Sequence, residues 1–350
     1  MRVMGIHIPS KRLIASYIFD WICIILIAVV GRLFSISSPY HRPFSLTDLS
    51  ISFPYIPHEK IPTWLLMLAS IIAPAIIVFL VSMILVPGPT VSSRTTPRSL
   101  LWRRKFWEWN TGWMGLALAS ACAYFFTQGM KNLAGKPRPS LLARCQPDVG
   151  SIAAHRIGGY ATGFNPEWTL VNSDICRQPD KGVLDDGFKS FPSGHASTSW
   201  AGLLYLTLFL CSKFSIAIPF LASDARTPTQ ADGSPALPLW NRAAAPPTSL
   251  LALAFTPLCV AAYITFTRYF EFYHAGVDLL AGTIIGCASA WFAFRWYHLP
   301  IRRGAGWAWG ARSRARAFGI GVGVGGTGGD VLGSGIVGSM EDEGRKVEAV

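Results

Sequence analysis

The chain has 350 residues, of which 51% are hydrophobic and only 14% charged, and its mean hydropathy is +0.36. An average soluble domain carries roughly 25% charged residues, so this composition excludes an ordinary soluble protein. A net charge of +12 would favour nucleic-acid binding in a soluble chain. Here no zinc-finger spacing, ribonucleoprotein pattern or basic heptad region accompanies it, and topology signals with attraction to anionic lipid head groups account for the excess.

A helix crosses the hydrocarbon core with about 20 mostly apolar residues. Six segments meet that length, at 13–30, 63–86, 109–130, 197–220, 250–267 and 277–294, each bounded by polar or Pro/Gly-rich sequence. The first is longer than the apolar part of a signal peptide, and no A-x-A-like site follows it, so it reads as an uncleaved span. The expectation is an all-α polytopic membrane protein with six transmembrane helices.

Orientation follows the Lys/Arg bias of the loops. Arg2, Lys11 and Arg12 lie before the first span, Arg94, Arg98, Arg103, Arg104 and Lys105 between the second and third, and Arg295, Arg302, Arg303, Arg312, Arg314 and Arg316 after the sixth. With six spans these regions share one side, which places both termini in the cytoplasm. The long loop at 131–196, between the third and fourth spans, then falls on the extracytoplasmic side. A loop of that length in a compact protein is usually functional. Cys145 and Cys176 lie within it, where oxidation is permitted, and are expected to pair. The other five cysteines fall in apolar spans and read as small packing residues. Residues 221–249 are rich in Pro, Ala, Thr and Ser and read as flexible. The spans form one domain, 1–303, and the Gly/Arg-rich segment 304–350 reads as a disordered cytoplasmic tail.

Three clusters carry the chemistry: Lys131 with Arg138-Pro139 (131–139), Pro192-Ser193-Gly194-His195, and Thr267-Arg268 with His274 and Asp278 (267–278). In the six-span topology all three fall on the extracytoplasmic face. Lys131, Arg138 and Arg268 supply the cations that phosphoryl transfer needs on its equatorial oxygens. Each alone could equally be an interfacial side chain reaching for water. Ser193 and Gly194 precede an apolar helix, whose N-terminal amides attract an anion; the same residues could be a plain helix cap. His274 and Asp278, if both helical, lie one turn apart, so the carboxylate can hold one imidazole nitrogen and raise the basicity of the other. A structural or metal-binding pair is the alternative. The division of labour then makes His274 the nucleophile, Asp278 its orienting acid, and His195 the general acid and base. Carboxylates are scarce near the clusters and no His-Glu-x-x-His spacing occurs, so neither metal nor cofactor is expected.

Together the three ordered clusters resemble the signature of the type 2 phosphatidic acid phosphatase superfamily, which includes the lipid phosphate phosphatases. Thr267 stands where that family usually has Ser. The resemblance implies a six-span helical fold and Mg²⁺-independent phosphomonoester hydrolysis through phosphohistidine, with matching roles for Lys131, Arg138, Ser193, Gly194, His195, Arg268, His274 and Asp278. The run 138–147 is further similar to fungal diacylglycerol-pyrophosphate and phosphatidate phosphatases. The implied substrates are phosphatidate, diacylglycerol pyrophosphate and lysophosphatidate taken from the bilayer. Isoprenoid-diphosphate or sphingoid-base phosphate is the nearest rival, and a transporter with a basic vestibule is the reading from another class. A vacuolar, endoplasmic-reticulum or plasma membrane each suits the topology.

Overall fold

The structure, a computed structural model, describes residues 11–86, 97–214, 216, 247–301, 307–310 and 312. The chain divides into the units Met1–Trp309 and Gly310–Val350. The expected tail at 304–350 and flexible segment at 221–249 lie almost wholly outside the described residues.

The described chain is mostly helical. Six long helices lie where the apolar segments predict them: α1 (Lys11–Ile36), α2 (Thr63–Leu85), α3 (Arg98–Ala134), α4 (Gly194–Lys213), α5 (Thr248–Phe270) and α6 (Gly276–Tyr297). Among the described residues, four of these, α1, α2, α5 and α6, are long and apolar enough to cross a membrane. Their outward faces carry exposed side chains such as Phe19, Ile22, Leu80, Leu253, Leu280 and Trp291. Apolar groups so placed gain nothing from water and are suited to lipid.

Helices α3 and α4 are more polar because they face protein. Helix α6 packs on both, α1 packs on α3, and α5 packs on α4. Their core is Met114, Leu116, Ala119, Tyr205, Leu206, Phe209, Ala290 and Phe294. Within it, Thr127 donates to the Ser197 hydroxyl at 2.8 Å, and Lys213 meets Glu108 at 2.5 Å with both side chains buried. Polar groups at such depth persist when paired. A residue with any side chain could not replace Gly282 or Gly286. A Cβ there would stand 2.5 Å from the backbone oxygens of Ser193 and Ser197, so these glycines let α6 lie directly against the start of α4.

The all-α expectation misses a small three-stranded antiparallel sheet, ordered β1-β3-β2, formed by β1 (Phe44–Ser45), β2 (Arg156–Gly158) and β3 (Leu170–Val171). It joins the first loop to the long segment between α3 and α4. A loop of that length must satisfy its own backbone polar groups, and short strands do so here. The two segments share a core of Phe44, Ile51, Leu141, Val171, Ile175 and Phe188. His41 stacks on Phe188 at 4.3 Å and bonds Ser173 and Asp185. Cys145 and Cys176 are joined by a disulfide. We call this assembly, residues 37–62 with 135–193, the cap.

The disulfide spans 31 residues of sequence, and closing a loop of that order limits the unfolded chain by about 3 to 4 kcal/mol. Replacing both cysteines by serine is expected to lower the thermal midpoint in detergent by several degrees. Midpoints equal to those of the unsubstituted protein would contradict that role.

Candidate active site

Each of the three sequence clusters falls at a helix end, and the ends converge. Lys131 sits in the last turn of α3, which Gly135 closes in the left-handed conformation (φ 54°). Ser193 is the N-cap of α4, its hydroxyl accepting from the Ala196 amide at 3.4 Å. A Cβ on Gly194 would stand 3.3 Å from the Lys131 ammonium, so the glycine opens the backbone to that cation. Arg268 closes α5, and the amides of Tyr273 and His274 both donate to its carbonyl, folding the 271–274 turn back over it. The Ser193 amide donates to the Asp278 carbonyl at 3.0 Å, which ties the start of α4 to the start of α6.

His274 is buried, and its Nδ1 lies 2.6 Å from the Ser190 carbonyl. A carbonyl can only accept, so Nδ1 carries the proton and Nε2 keeps its lone pair. Nε2 makes no hydrogen bond among the described residues. Burial, followed by the nearby Arg138, Lys131 and Arg268, pushes this imidazole well below its usual pKa. The same influences favour the neutral form, in which Nε2 keeps its lone pair.

Asp278 does not hold this imidazole, contrary to the sequence reading. Helix α6 begins at Gly276, so His274 precedes it and the one-turn spacing does not apply. Asp278 instead occupies the third helical position and reaches back to the Ala275 amide at 3.0 Å, as in a capping box. Its carboxylate also accepts from the Ser190 hydroxyl at 2.6 Å and pairs with Lys136 at 2.7 Å. Asp278 thus positions Ser190, and Ser190 positions His274.

Arg138 is held on three sides. Its Nε and Nη2 donate to the carbonyl and carboxylate of Asp186, each at 2.7 Å, and Nη1 donates to the Tyr273 carbonyl at 3.3 Å. Asp186 also takes Arg144 at 2.9 Å. Burial opposes ionisation of Asp186, but Arg138, Arg144 and Lys131 outweigh it and hold the carboxyl below its usual range. Arg268 pairs with Glu271 at 3.1 Å and Glu59 at 3.2 Å and stacks over the Tyr273 ring at 4.0 Å. The Nε2 of His195 lies 2.9 Å from the Ile61 carbonyl, to which it donates.

All eight residues named from sequence thus lie in or around one buried site, beside a cavity of about 450 Å³ lined by Tyr55, His58, Glu59, Asp186 and Tyr273. Sequence reasoning missed Ser190, Asp186, Glu59 and Glu271, and saw Arg144 only as part of a run. No motif marks Glu59, which arrives from the first loop. Asp186 is one of six acids in the 131–196 insertion, adjacent to Asp185, and no local signal separates it from the others. Among the described residues no three His, Cys, Asp or Glu side chains gather as a metal site requires.

Comparison with known proteins identifies the relatives of this chain. Residues 112–302 match the family model of the PAP2 superfamily. Diacylglycerol pyrophosphate phosphatase 1 of Saccharomyces cerevisiae is 30% identical over 75% of this chain and 73% of its own length. The "Probable diacylglycerol pyrophosphate phosphatase 1" of Schizosaccharomyces pombe is 28% identical over 86% and 87%, and lipid phosphate phosphatase 2 of Arabidopsis thaliana 24% over 83% and 80%. No solved structure matches the chain.

The lowered pKa of His274 has a stability consequence. An unfolded imidazole binds a proton below about pH 6.5, whereas folded His274 refuses it. Its contribution is therefore whole above pH 6.5 and is lost as pH falls from there toward the folded value, by at most about 1.4 kcal/mol per pH unit. His274→Asn, which keeps a donor for Ser190, is expected to flatten the fall in thermal midpoint between pH 7 and pH 5. Parallel curves for the two proteins would contradict the neutral imidazole.

Proposed function

The chain belongs to the PAP2 superfamily and is a lipid phosphatase, and we propose that it hydrolyses phosphatidate and diacylglycerol pyrophosphate, with lysophosphatidate as a further substrate, through a phosphohistidine on His274. The observation that carries this reading is the Ser190 carbonyl on Nδ1 of His274. It fixes the tautomer in which Nε2 is the nucleophile, amid three cations.

In this reading the phosphate lies between Lys131, Arg138 and Arg268, against the free amides at the start of α4. These groups neutralise the equatorial oxygens and make phosphorus electrophilic. His274 Nε2 attacks phosphorus as the bond to the leaving oxygen breaks. The bound phosphate dianion offsets the neighbouring cations and lets His195 carry a second proton; as the imidazolium it gives its Nε2 proton to that oxygen, and diacylglycerol or phosphatidate departs. His195, now a neutral imidazole with a free lone pair on Nε2, accepts a proton from water, whose oxygen attacks the phosphohistidine. Inorganic phosphate leaves, and both imidazoles regain their starting forms. Asp278 and Asp186 hold Ser190 and Arg138 in place throughout.

This is an integral membrane enzyme. We assign all six long helices as spans, with the termini cytoplasmic and the cap and site on the opposite face, in the vacuolar, endoplasmic-reticulum or plasma membrane. Support comes from the basic segments at 94–105 and 295–316, which this arrangement places on one side. Helices α3 and α4 then cross inside the bundle, where their polar groups meet protein.

His274→Ala is expected to abolish an acid-labile phosphoenzyme and to lower kcat on detergent-dispersed phosphatidate by about three orders of magnitude or more. Arg268→Lys, which loses the two-pronged contact, should cost about a hundredfold. Turnover of the unsubstituted enzyme is expected to persist in EDTA. Phosphoenzyme in the alanine variant would exclude the assignment, and sphingoid-base and isoprenoid phosphates in the same assay fix the lipid class.

A further inference from the structure

Residues 52–62 cross the site as a strap, bonded to it along their length. The Phe53 amide donates to the Pro139 carbonyl at 2.9 Å, and the Phe53 ring stacks on Phe272 at 4.8 Å. Tyr273 Oη donates to the Ile56 carbonyl at 2.7 Å, the Lys60 amide donates to Glu271 at 2.6 Å, and His195 donates to the Ile61 carbonyl. Between these anchors Glu59 places one carboxylate oxygen 3.2 Å from Nη2 of Arg268 and the other 3.8 Å from Nε2 of His195. These are two of the groups assigned to the phosphate and the leaving oxygen.

The fit is that of a stand-in. A carboxylate offers two oxygens to the site, and Nε of the buried Arg268 is left without a hydrogen-bond partner. A buried donor without a partner is costly, and a tetrahedral anion has the further oxygens to meet it. The Glu59 carboxylate is held by Arg268 and, more distantly, His195, whereas Asp186 holds Arg138 through both its carbonyl and its carboxylate and Arg144 besides, and Glu271 holds Arg268 and the Lys60 amide. Of the carboxylates near the cradle, Glu59 is thus the one that can leave by a movement of the strap.

We propose that Glu59 is an internal anion that occupies the Arg268 and His195 side of the cradle and exchanges with the substrate's phosphate, selecting for head groups that carry two negative charges. This rests on the phosphatase reading above. Displacing one carboxylate charge from Arg268 is offset when a phosphomonoester dianion or a diphosphate replaces it. A phosphodiester head group, with a single charge, gives no such surplus, so the common membrane phospholipids are held out of the site. The exchange also frees Nε2 of His195 from Ile61, as the proton transfer to the leaving oxygen requires.

A competing internal state raises the apparent dissociation constant by the inverse of the open fraction. With the strap seated about nine-tenths of the time, removing the charge of Glu59 should tighten anion binding about tenfold. The test measures tungstate binding by calorimetry to the purified full chain in detergent, for the unsubstituted protein, Glu59→Gln and Glu59→Asp. The glutamine variant is expected to bind about tenfold tighter and to lower KM for phosphatidate in proportion, with kcat within about twofold. It should also be inhibited more strongly by a dialkyl phosphodiester. The aspartate variant keeps the charge and should return toward the unsubstituted affinity.

A second measurement needs no substitution: tungstate should speed tryptic cleavage after Lys60 by releasing the strap. Equal tungstate affinity in the glutamine and unsubstituted proteins overturns the proposal, and so does cleavage unchanged by tungstate should the glutamine variant not fold. Tighter binding in the glutamine variant of a protein that turns over no lipid phosphate would sustain the exchange and sink the catalytic reading. Full turnover with equal affinities does the reverse.

Discussion

Cations brought together away from water repel one another strongly, and the site holds Lys131, Arg138 and Arg268 within one desolvated cluster. The protein manages that repulsion by supplying carboxylates from separate parts of the chain. Asp186 comes from the long loop, Glu271 from the turn after α5, Glu59 from the first loop, and Asp278 from the start of α6, by way of Lys136. The cap follows from this need. Without the packing of Phe44, Leu141, Val171 and Phe188, neither Asp186 nor Glu59 would stand where the charges require them.

Much of the proposed catalytic set is legible in sequence because it obeys local rules. A serine and glycine before an apolar helix mark a helix N-terminus, whose amides can be capped by the serine or offered to an anion. The existence and order of the six long helices follow from apolar length, but their bounds do not, since α3 begins at Arg98 rather than at 109 and α4 ends at Lys213 rather than at 220. The compensating residues are not legible in this way. Glu59 and Arg268 are far apart in the chain, and nothing in the local composition of either predicts that they meet. The His274 and Asp278 pairing failed for a different reason. Their spacing suits a helix, but the helix starts between them, so the carboxylate turns back to its own N-terminus and Ser190 takes the imidazole.

The small sheet was equally hidden. Strands of two or three residues carry no alternation long enough to read, and their pairing depends on the first loop reaching across to Val171. Sequence indicates that the insertion matters, while tertiary contacts decide its form. The more polar character of α3 and α4 has the same origin, because Glu108 and Lys213 are tolerable only through each other.

The glycine seam at Gly282 and Gly286 has a mechanical consequence. It presses the start of α6 onto the start of α4, where the Ser193 amide is bonded to the Asp278 carbonyl. The Ser193 turn and Asp278, which supports His274 through Ser190, are therefore carried at the joined starts of these two helices. Bilayers vary in thickness, and helices answer by tilting. A pair that tilts as a unit keeps the proposed nucleophile at a constant distance from the proposed phosphate site.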